Sequence, residues 1–180
     1  RLVVLLSGLP QSVAGGTINR FCGSSMQSIH SAAGAIQMGA GEAFICAGVE
    51  SMSRIPMSGY NPMPNPALAA TMPGAYMSMG ETAENVAKKY GISRAEQEQF
   101  AVISHQRAAT AHAAGRFRDE IIAIGAVTED GCIRPDTNQA KLAELKLAFD
   151  EKGSVTAGTA SPLTDGAAAT LVTSEDFAKT

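Results

Sequence analysis

Tryptophan is absent from the sequence, and aromatic residues make up only 5% of it. The basic residues form no cluster and no aromatic-interleaved stripe, and the net charge is −3, which argues against a nucleic-acid partner. No uninterrupted apolar run approaches the length needed to span a membrane. The three cysteines lack paired spacing, so they argue for a reducing compartment and against a disulfide framework. With 45% hydrophobic residues, the composition is that of an ordinary α/β protein.

The stretch Asn19–Gln27 organises the rest of the chain. A short apolar run ending at Ile18 precedes it, and residues of helical spacing follow from Ser24 to Met38, where Gly39 ends the pattern. This arrangement predicts Cys22 at a strand-to-helix junction, where unpaired backbone N–H groups and the positive end of the helix dipole favour a thiolate. Since the thiolate is the nucleophilic form, the position suits covalent catalysis. The alternative is a buried structural cysteine beside a glycine turn.

Apolar runs and their flanking breaker residues predict four strands. They lie at residues 13–21, 43–49, 120–127 and 166–172. The second of these is continuous and apolar, as is typical of a buried parallel strand, and it places Cys46 in the core. Asp165 is assigned a bracing role in the turn that precedes the last strand.

Helices are predicted at residues 80–90, 93–114 and 138–147. Ser93 and Glu96 form a capping box at the start of the second helix. The distribution of polar residues along this helix assigns Glu98 to its solvent-facing side. It also assigns His105 and His112 to solvent, because a seven-residue spacing does not suit a metal pair.

Several motifs of the chain resemble those of one enzyme family. Asn19–Ser25 resembles the nucleophile motif of the thiolases, the acyl-CoA C-acyltransferases that cleave or form 3-ketoacyl-CoA. Further stretches resemble successive landmarks of that family, in its order and at roughly its spacing: Gly48–Ser53, Met79–Asn85, Val155–Gly158 and Asp165–Ala169. Together these motifs cover nearly the whole chain.

The resemblance implies an α/β fold with a layered αβα N-terminal domain, here incomplete, and a mostly helical loop-domain insertion. At about Ser53 the composition shifts, since residues 52–79 contain six of the eight methionines and several prolines. We therefore expect residues 1–53 to form the first part of the N-terminal domain and residues 54–160 to form the CoA-binding loop domain. Residues 161–180 would supply the last strand and the start of a link to a C-terminal domain outside this sequence.

The resemblance also implies roles for individual residues. Cys22 would be the catalytic nucleophile, and its backbone N–H would contribute to an oxyanion hole. Contacts to CoA would come from Met79, Arg134, Phe149, Ala157 and Ser161. Met79 would line the pantetheine tunnel, Arg134 would reach a phosphate or the adenine, and Phe149 would flank CoA. Ala157 and Ser161 would touch the pantetheine amide. For Arg134 a surface salt bridge to a neighbouring aspartate remains an equal alternative. No metal is implied, and coenzyme A would be a substrate and not a cofactor.

These roles predict an acetyl-CoA C-acyltransferase of fatty acid β-oxidation. It would cleave 3-ketoacyl-CoA to acetyl-CoA and a shortened acyl-CoA through an acyl-cysteine intermediate. One alternative is a biosynthetic acetoacetyl-CoA thiolase that condenses two acetyl-CoA molecules, and another is a non-catalytic CoA- or lipid-binding relative. The family would further imply a homodimer or homotetramer. A bacterial cytoplasmic location is expected, or a mitochondrial or peroxisomal one in a eukaryote.

Other catalytic parts of the family have no counterpart in the sequence. They are the histidine of a Gly-His-Pro motif, the asparagine of an Asn-Glu-Ala-Phe motif and the cysteine of a Cys-x-Gly motif. In the family all three belong to the C-terminal half, and none of these motifs with the right neighbours occurs here. We therefore expect this chain alone to be inactive.

Overall fold

The computed structural model describes residues 1–180, which form two compact units. The first unit comprises residues 1–60 and 164–180, and the second comprises residues 61–163. In chain order the elements are α1 (Leu2–Leu6), α2 (Ser24–Gln37), β1 (Ala43–Ser51), α3 (Pro66–Thr71), α4 (Met79–Tyr90), α5 (Arg94–Ala113), α6 (Gln139–Ala143) and β2 (Asp165–Thr173). Two 3₁₀ turns lie at Pro73–Tyr76 and Phe177–Lys179.

In the first unit, α2 packs against a two-stranded sheet. Strand β1 pairs antiparallel with β2, in a register that sets Ala43 opposite Thr173 and Ser51 opposite Asp165. Cys46 is buried, with its Sγ 3.5 Å from the carbonyl oxygen of Ser28 on α2. The expectation that Cys46 is a core residue is therefore confirmed.

Two strand predictions in this unit need correction. Residues 13–21 form no strand, because no strand lies beside them to complete a ladder. Residues 43–49 do belong to β1, but the pairing is antiparallel and the strand is not buried on both faces, since Ile45 is 60% exposed and Val49 is 76% exposed. An apolar run indicates that both faces of a strand are apolar. It does not indicate whether a partner strand more than a hundred residues away runs parallel or antiparallel to it.

The second unit contains α3 to α6, with α5 packed against α6. The capping box of α5 is confirmed, because the Ser93 hydroxyl accepts from the Glu96 N–H and the Glu96 carboxylate accepts from the Ser93 N–H. A second capping box, unforeseen in the sequence, joins Ser78 to Glu81 at the start of α4. Gly91 ends α4 with φ +65°, in the left-handed conformation that favours glycine.

Three predictions for the second unit are wrong. Residues 120–127 form no strand; within them, residues 124–127 form a tight turn closed by a single bridge between Ile124 and Val127. Helix α6 ends at Ala143, four residues earlier than expected. Glu98 does not face solvent: it is only 3% exposed, and its Oε1 lies 2.7 Å from the Nε of Arg94.

Asp165 joins the start of β2 to the end of β1, as its assigned bracing role requires. Its carboxylate accepts hydrogen bonds from the Ser53 hydroxyl, from the Ser53 N–H at 2.9 Å and from the Ser51 hydroxyl at 3.4 Å. Hydrogen bonds from Ser53 hold the pKa of the Asp165 carboxyl below its ordinary value, and the bond from the Ser53 hydroxyl has the largest effect, followed by the bond from its N–H. Such bonds favour the ionised form.

The substitution Asp165→Asn is expected to lower the free energy of unfolding at neutral pH. A carboxyl whose pKa is lower in the folded chain stabilises it above the unfolded-state pKa, and this contribution is lost as the pH falls through the folded-state pKa. Urea unfolding at neutral pH and at about pH 3 should therefore show the difference between wild type and variant shrinking in acid. Asp119→Asn, at an exposed carboxylate without hydrogen bonds to the protein, is the control; equal losses in the two variants would contradict the prediction.

Candidate active site and CoA-binding groove

A tight turn presents Cys22 immediately before α2. Phe21 adopts φ +47°, which is uncommon for a residue with a side chain and bends the chain sharply just ahead of the cysteine. The Asn19 side-chain oxygen accepts from the Phe21 N–H at 3.0 Å. The Ser24 hydroxyl accepts from the Arg20 N–H at 2.8 Å and donates to the Phe21 carbonyl at 2.6 Å. Polar residues on both sides of Cys22 therefore hold the strained turn in place.

Cys22 itself is exposed and lies two residues before the first residue of α2, since Gly23 between them is the N-cap. None of the hydrogen bonds of the turn uses the Cys22 N–H or thiol. Cys22 is therefore not the buried structural cysteine that the sequence left open. It combines an accessible sulfur with an unengaged backbone donor beside a helix N-terminus, an arrangement that suits a nucleophile and an oxyanion.

Close packing between α2 and β1 fixes where this turn lies. A Cβ atom built on Gly48 would overlap the Ser25 hydroxyl and would lie 3.3 Å from the Ser25 Cβ. Glycine at position 48 therefore lets the first turn of α2 lie directly on the strand. This gives a physical reason for a glycine in the Gly48–Ser53 motif.

In the second unit, an open and mostly apolar groove of about 380 Å³ lies between α4, the start of α5 and the segment that follows residue 154. Its lining includes Met79, Val86, Ile92, Val155 and Thr159. Val155 is buried, whereas Met79 is 67% exposed at the start of α4. The groove thus joins two of the motifs that the sequence singled out, Met79–Asn85 and Val155–Gly158.

Phe149 stacks against the first turn of α4. A Cβ atom at Gly80 would overlap the Phe149 ring, so the glycine next to Met79 allows the ring to lie directly on the helix backbone. Two of the sequence-predicted CoA contacts, Met79 and Phe149, are therefore neighbours in the structure.

Hydrogen bonds between its own residues stabilise the turn at residues 156–159. The Thr159 hydroxyl accepts from the Thr156 N–H at 3.0 Å, and the Thr156 hydroxyl accepts from the Gly158 N–H at 3.2 Å. Gly158 also packs closely on the side chains of Leu142 and Leu145. Ala157 is exposed, its peptide groups take no part in these bonds, and Ser161 is exposed as well.

Arg134 lies apart from these residues. Its backbone N–H donates to the Nδ1 of His105 at 3.1 Å, and its guanidinium donates to the Gly131 carbonyl at 3.3 Å. It forms no salt bridge, because Lys141 pairs with Asp136 instead. The salt-bridge alternative for Arg134 is therefore wrong, and most of its donors remain free.

Both histidines of α5 are half-buried and contact a neighbouring loop, so they are less solvent-facing than predicted. His105 accepts the Arg134 N–H, and His112 lies 3.5 Å from a Glu129 carboxylate oxygen. Both side chains thus contact the loop at residues 129–134. In that loop Cys132 is partly buried, and desolvation together with the neighbouring Asp130 raises the pKa of its thiol.

No group of three or more histidine, cysteine, aspartate or glutamate side chains is placed to bind a metal ion. None of the helices combines the length and the apolar character needed to cross a membrane.

Comparisons with known proteins agree with this description. Residues 1–176 match the family model described as thiolase, N-terminal domain. A 3-ketoacyl-CoA thiolase of Bacillus subtilis is 47% identical over 189 residues, an alignment that covers 96% of this chain and 48% of the relative. A 3-ketoacyl-CoA thiolase of Pseudoalteromonas translucida is also 47% identical over 189 residues, and this alignment covers 99% of this chain and 48% of the relative. The chain thus spans about half the length of the curated relatives it matches.

Solved structures give the same result. The dimeric peroxisomal thiolase of Saccharomyces cerevisiae superposes with a TM-score of 0.92 at 32% identity, over 99% of this chain and 48% of that one. The human mitochondrial 3-ketoacyl-CoA thiolase in complex with CoA superposes with a TM-score of 0.83 at 36% identity. The superposition covers 99% of this chain and 49% of that one. The fold is the α/β fold of the thiolases. The chain belongs to the thiolase N-terminal domain family, and the resemblance seen in its motifs is confirmed.

Sequence reasoning missed Glu84, the residue of this region with the most extensive hydrogen bonding. Its carboxylate accepts from the Ser154 N–H, the Ser154 hydroxyl and the Val155 N–H. Glu84 lies within the Met79–Asn85 motif, but nothing local indicates that its partners are seventy residues away. Its position in a motif was the one available signal.

Proposed function

We propose that the complete protein containing this chain is an acetyl-CoA C-acyltransferase that cleaves 3-ketoacyl-CoA thiolytically, with Cys22 as the nucleophile. One observation carries the proposal: an exposed cysteine with an unengaged N–H, held by a strained turn at the start of α2 in a thiolase fold. The names of the relatives, 3-ketoacyl-CoA thiolase, support this reaction.

The chemistry proceeds in two halves. The Cys22 thiolate adds to the keto carbon of the substrate, and the bond between C2 and C3 breaks. The electron pair remains on C2 of the departing acetyl-CoA and takes up a proton from an acid, while the shortened acyl group stays on sulfur as a thioester. The thiol of a second CoA, deprotonated by a base, then attacks this thioester and releases the thiolate. The Cys22 N–H is positioned to donate to a developing oxyanion.

The acid and the base are not supplied by neighbours of Cys22 in this chain. The side-chain hydrogen bonds of the turn link Asn19, Arg20, Phe21 and Ser24, and none of them reaches the Cys22 thiol. We assign these roles to segments outside the chain, in keeping with the family motifs that the sequence lacks.

The second unit is proposed to bind the CoA part of the substrate. Met79 lines the groove and Phe149 lies against the first turn of the same helix. The exposed residues Ala157 and Ser161 offer hydrogen bonds to the pantetheine amides. Arg134 offers free guanidinium donors to a phosphate, which suits the planar fork of arginine. Coenzyme A acts here as a substrate.

Peptide mass spectrometry after incubation with acetoacetyl-CoA tests the proposed function. The complete protein should acquire an acetyl group on Cys22, whereas Cys46, which is buried, and Cys132, whose thiol pKa is raised, should remain unlabelled. Comparing the adduct yield with that from a longer 3-ketoacyl-CoA would show which chain lengths are accepted. Equal labelling of all three cysteines, or no labelling, would refute Cys22 as the nucleophile.

The substitution Arg134→Gln is expected to weaken CoA binding roughly tenfold, because hydrogen bonds to a charged group are lost. Pantetheine, which lacks the nucleotide and its phosphates, should bind the variant and the wild type alike. Isothermal titration with both ligands measures this difference. Arg107→Gln, at an exposed arginine of α5 without partners, is the control. Equal weakening for CoA and pantetheine would contradict a phosphate contact.

Oligomeric state and location belong to the same proposal. A homodimer is proposed because a structural neighbour is described as dimeric, and light scattering of the complete protein would test this. A cytoplasmic location is proposed because the relatives compared above are bacterial and the three cysteines are free. Cell fractionation would test this location.

A further inference from the structure

Glu84 forms a cluster of hydrogen bonds that the proposed chemistry does not use. Its Oε1 accepts from the Ser154 N–H at 3.0 Å and from the Val155 N–H at 2.8 Å, and its Oε2 accepts from the Ser154 N–H at 2.9 Å and the Ser154 hydroxyl at 3.1 Å. No lysine, arginine or histidine pairs with it. The negative charge is therefore balanced by consecutive backbone donors, as in an anion-binding nest.

The neighbouring residues pack closely around the Glu84 carboxylate. A Cβ atom at Gly153 would overlap it, so glycine is required for the backbone to approach so closely. The Gln97 side-chain N–H donates to the Ser154 hydroxyl at 2.9 Å, which links the start of α5 to the same cluster. Ser154 is thus held from α4 and from α5 together.

The segment that Glu84 holds leads directly into the CoA-binding residues. Val155 is 4% exposed and lines the groove together with Met79, and Thr156 is fully buried. Ala157 follows at once with its exposed peptide. Fixing Ser154 and Val155 on α4 therefore fixes Ala157 relative to Met79, which begins the same helix.

We infer that Glu84 is a positioning residue for CoA: its carboxylate clamps residues 153–155 onto α4 and so sets the geometry of the segment 157–161 that receives the pantetheine arm. The inference rests on the proposed function, because it assumes that the segment binds CoA. The hydrogen bonds of the Glu84 carboxylate all go to Ser154 and Val155. Its effect should therefore appear in the binding of CoA and not in the bond-breaking step.

Glu84→Gln in the complete protein is the first test. The amide keeps the size of the side chain but replaces an acceptor with a donor that faces the N–H groups of Ser154 and Val155. We expect the KM for CoA and for 3-ketoacyl-CoA to rise roughly tenfold while kcat changes less than twofold. Isothermal titration should show the Kd for CoA rising by a similar factor. Glu84→Asp, which keeps the charge, should show a smaller increase.

Glu81→Gln is the matched control, because Glu81 lies on the same helix and also accepts hydrogen bonds from a serine, but caps the helix without touching residues 153–155. It should lower the melting temperature without raising the KM for CoA. Gly153→Ala tests the clamp by a second route, since its Cβ would push the segment away without removing any charge. It should raise the same KM values as Glu84→Gln.

The outcomes separate this inference from the proposed function. If wild type acylates Cys22 and turns over substrate but Glu84→Gln and Gly153→Ala keep its KM and Kd for CoA, the positioning role is wrong and the proposed function stands. If Glu84→Gln lowers kcat and leaves KM unchanged, the positioning role is again wrong. If wild type forms no adduct on Cys22, the proposed function fails, and the titration with CoA still reports on the clamp.

Discussion

Replacing Cys22 with alanine is expected to abolish acyl-enzyme formation and to lower the turnover of a 3-ketoacyl-CoA at least about a thousandfold. The turn before α2 exposes the Cys22 side chain, whereas the Ser24 hydroxyl is engaged by the Arg20 N–H and the Phe21 carbonyl. Alanine keeps the backbone of the turn, whose hydrogen bonds involve Asn19, Arg20 and Ser24 and not the thiol. Steady-state kinetics and intact-mass measurements of the complete protein would check this.

Binding of CoA should remain within about twofold of wild type in Cys22→Ala, because the removed sulfur makes no contact that holds the fold. Cys46→Ala is a control with the opposite expected result. Removing this buried side chain should lower the stability of the fold and leave the acylation of Cys22 intact. Turnover by Cys22→Ala at the wild-type rate would refute the assignment of the nucleophile.

The features that sequence analysis located correctly depend on nearby residues. The capping box of Ser93 and Glu96 spans three residues, so it is visible in the pattern and appears in the structure as expected. The start of α2 after Cys22 was likewise marked by Gly23 and by the helical spacing that follows. The chemical identity of the site could therefore be proposed from one short stretch of sequence.

The features that were missed depend on distant residues. The direction of the pairing between β1 and β2 is set by the path of more than a hundred intervening residues, which no local pattern encodes. Glu98 was assigned to solvent because its own helix gives it a polar position. Instead it pairs with Arg94, whose guanidinium also donates to the carbonyl groups of Leu142, Ala143 and Leu145 at the end of α6. The glutamate is buried because another element covers it.

The same limit applies to the groove. Met79 and Phe149 were assigned to CoA by resemblance, and their adjacency across Gly80 emerged only from the structure. Glu84 shows the limit most clearly, because its partners lie at Ser154 and Val155. Periodicity places it on α4 but does not indicate which segment it holds.

Gly48→Val is expected to lower the free energy of unfolding by about 1–3 kcal/mol and to reduce acylation of Cys22 in the complete protein. A Cβ atom at this position would overlap the Ser25 hydroxyl and press on the Ser25 Cβ, and the two further methyl groups need space as well. The first turn of α2 must therefore move away from β1. Since Cys22 lies three residues before Ser25, the turn that presents it should move as well. Urea unfolding and the rate of acetylation by acetoacetyl-CoA measure the two effects.

Gly166→Ala is the matched control, because Gly166 lies in β2 of the same sheet and an added Cβ would meet nothing within 4 Å. It should leave both stability and acylation near wild type. In the smaller variant Gly48→Ala, the added substitution Ser25→Ala removes the overlapping hydroxyl and should restore part of the lost stability. Acylation at the wild-type rate in a folded Gly48→Val protein would show that the packing of α2 on β1 does not control the position of Cys22. The glycine of this motif would then serve stability alone.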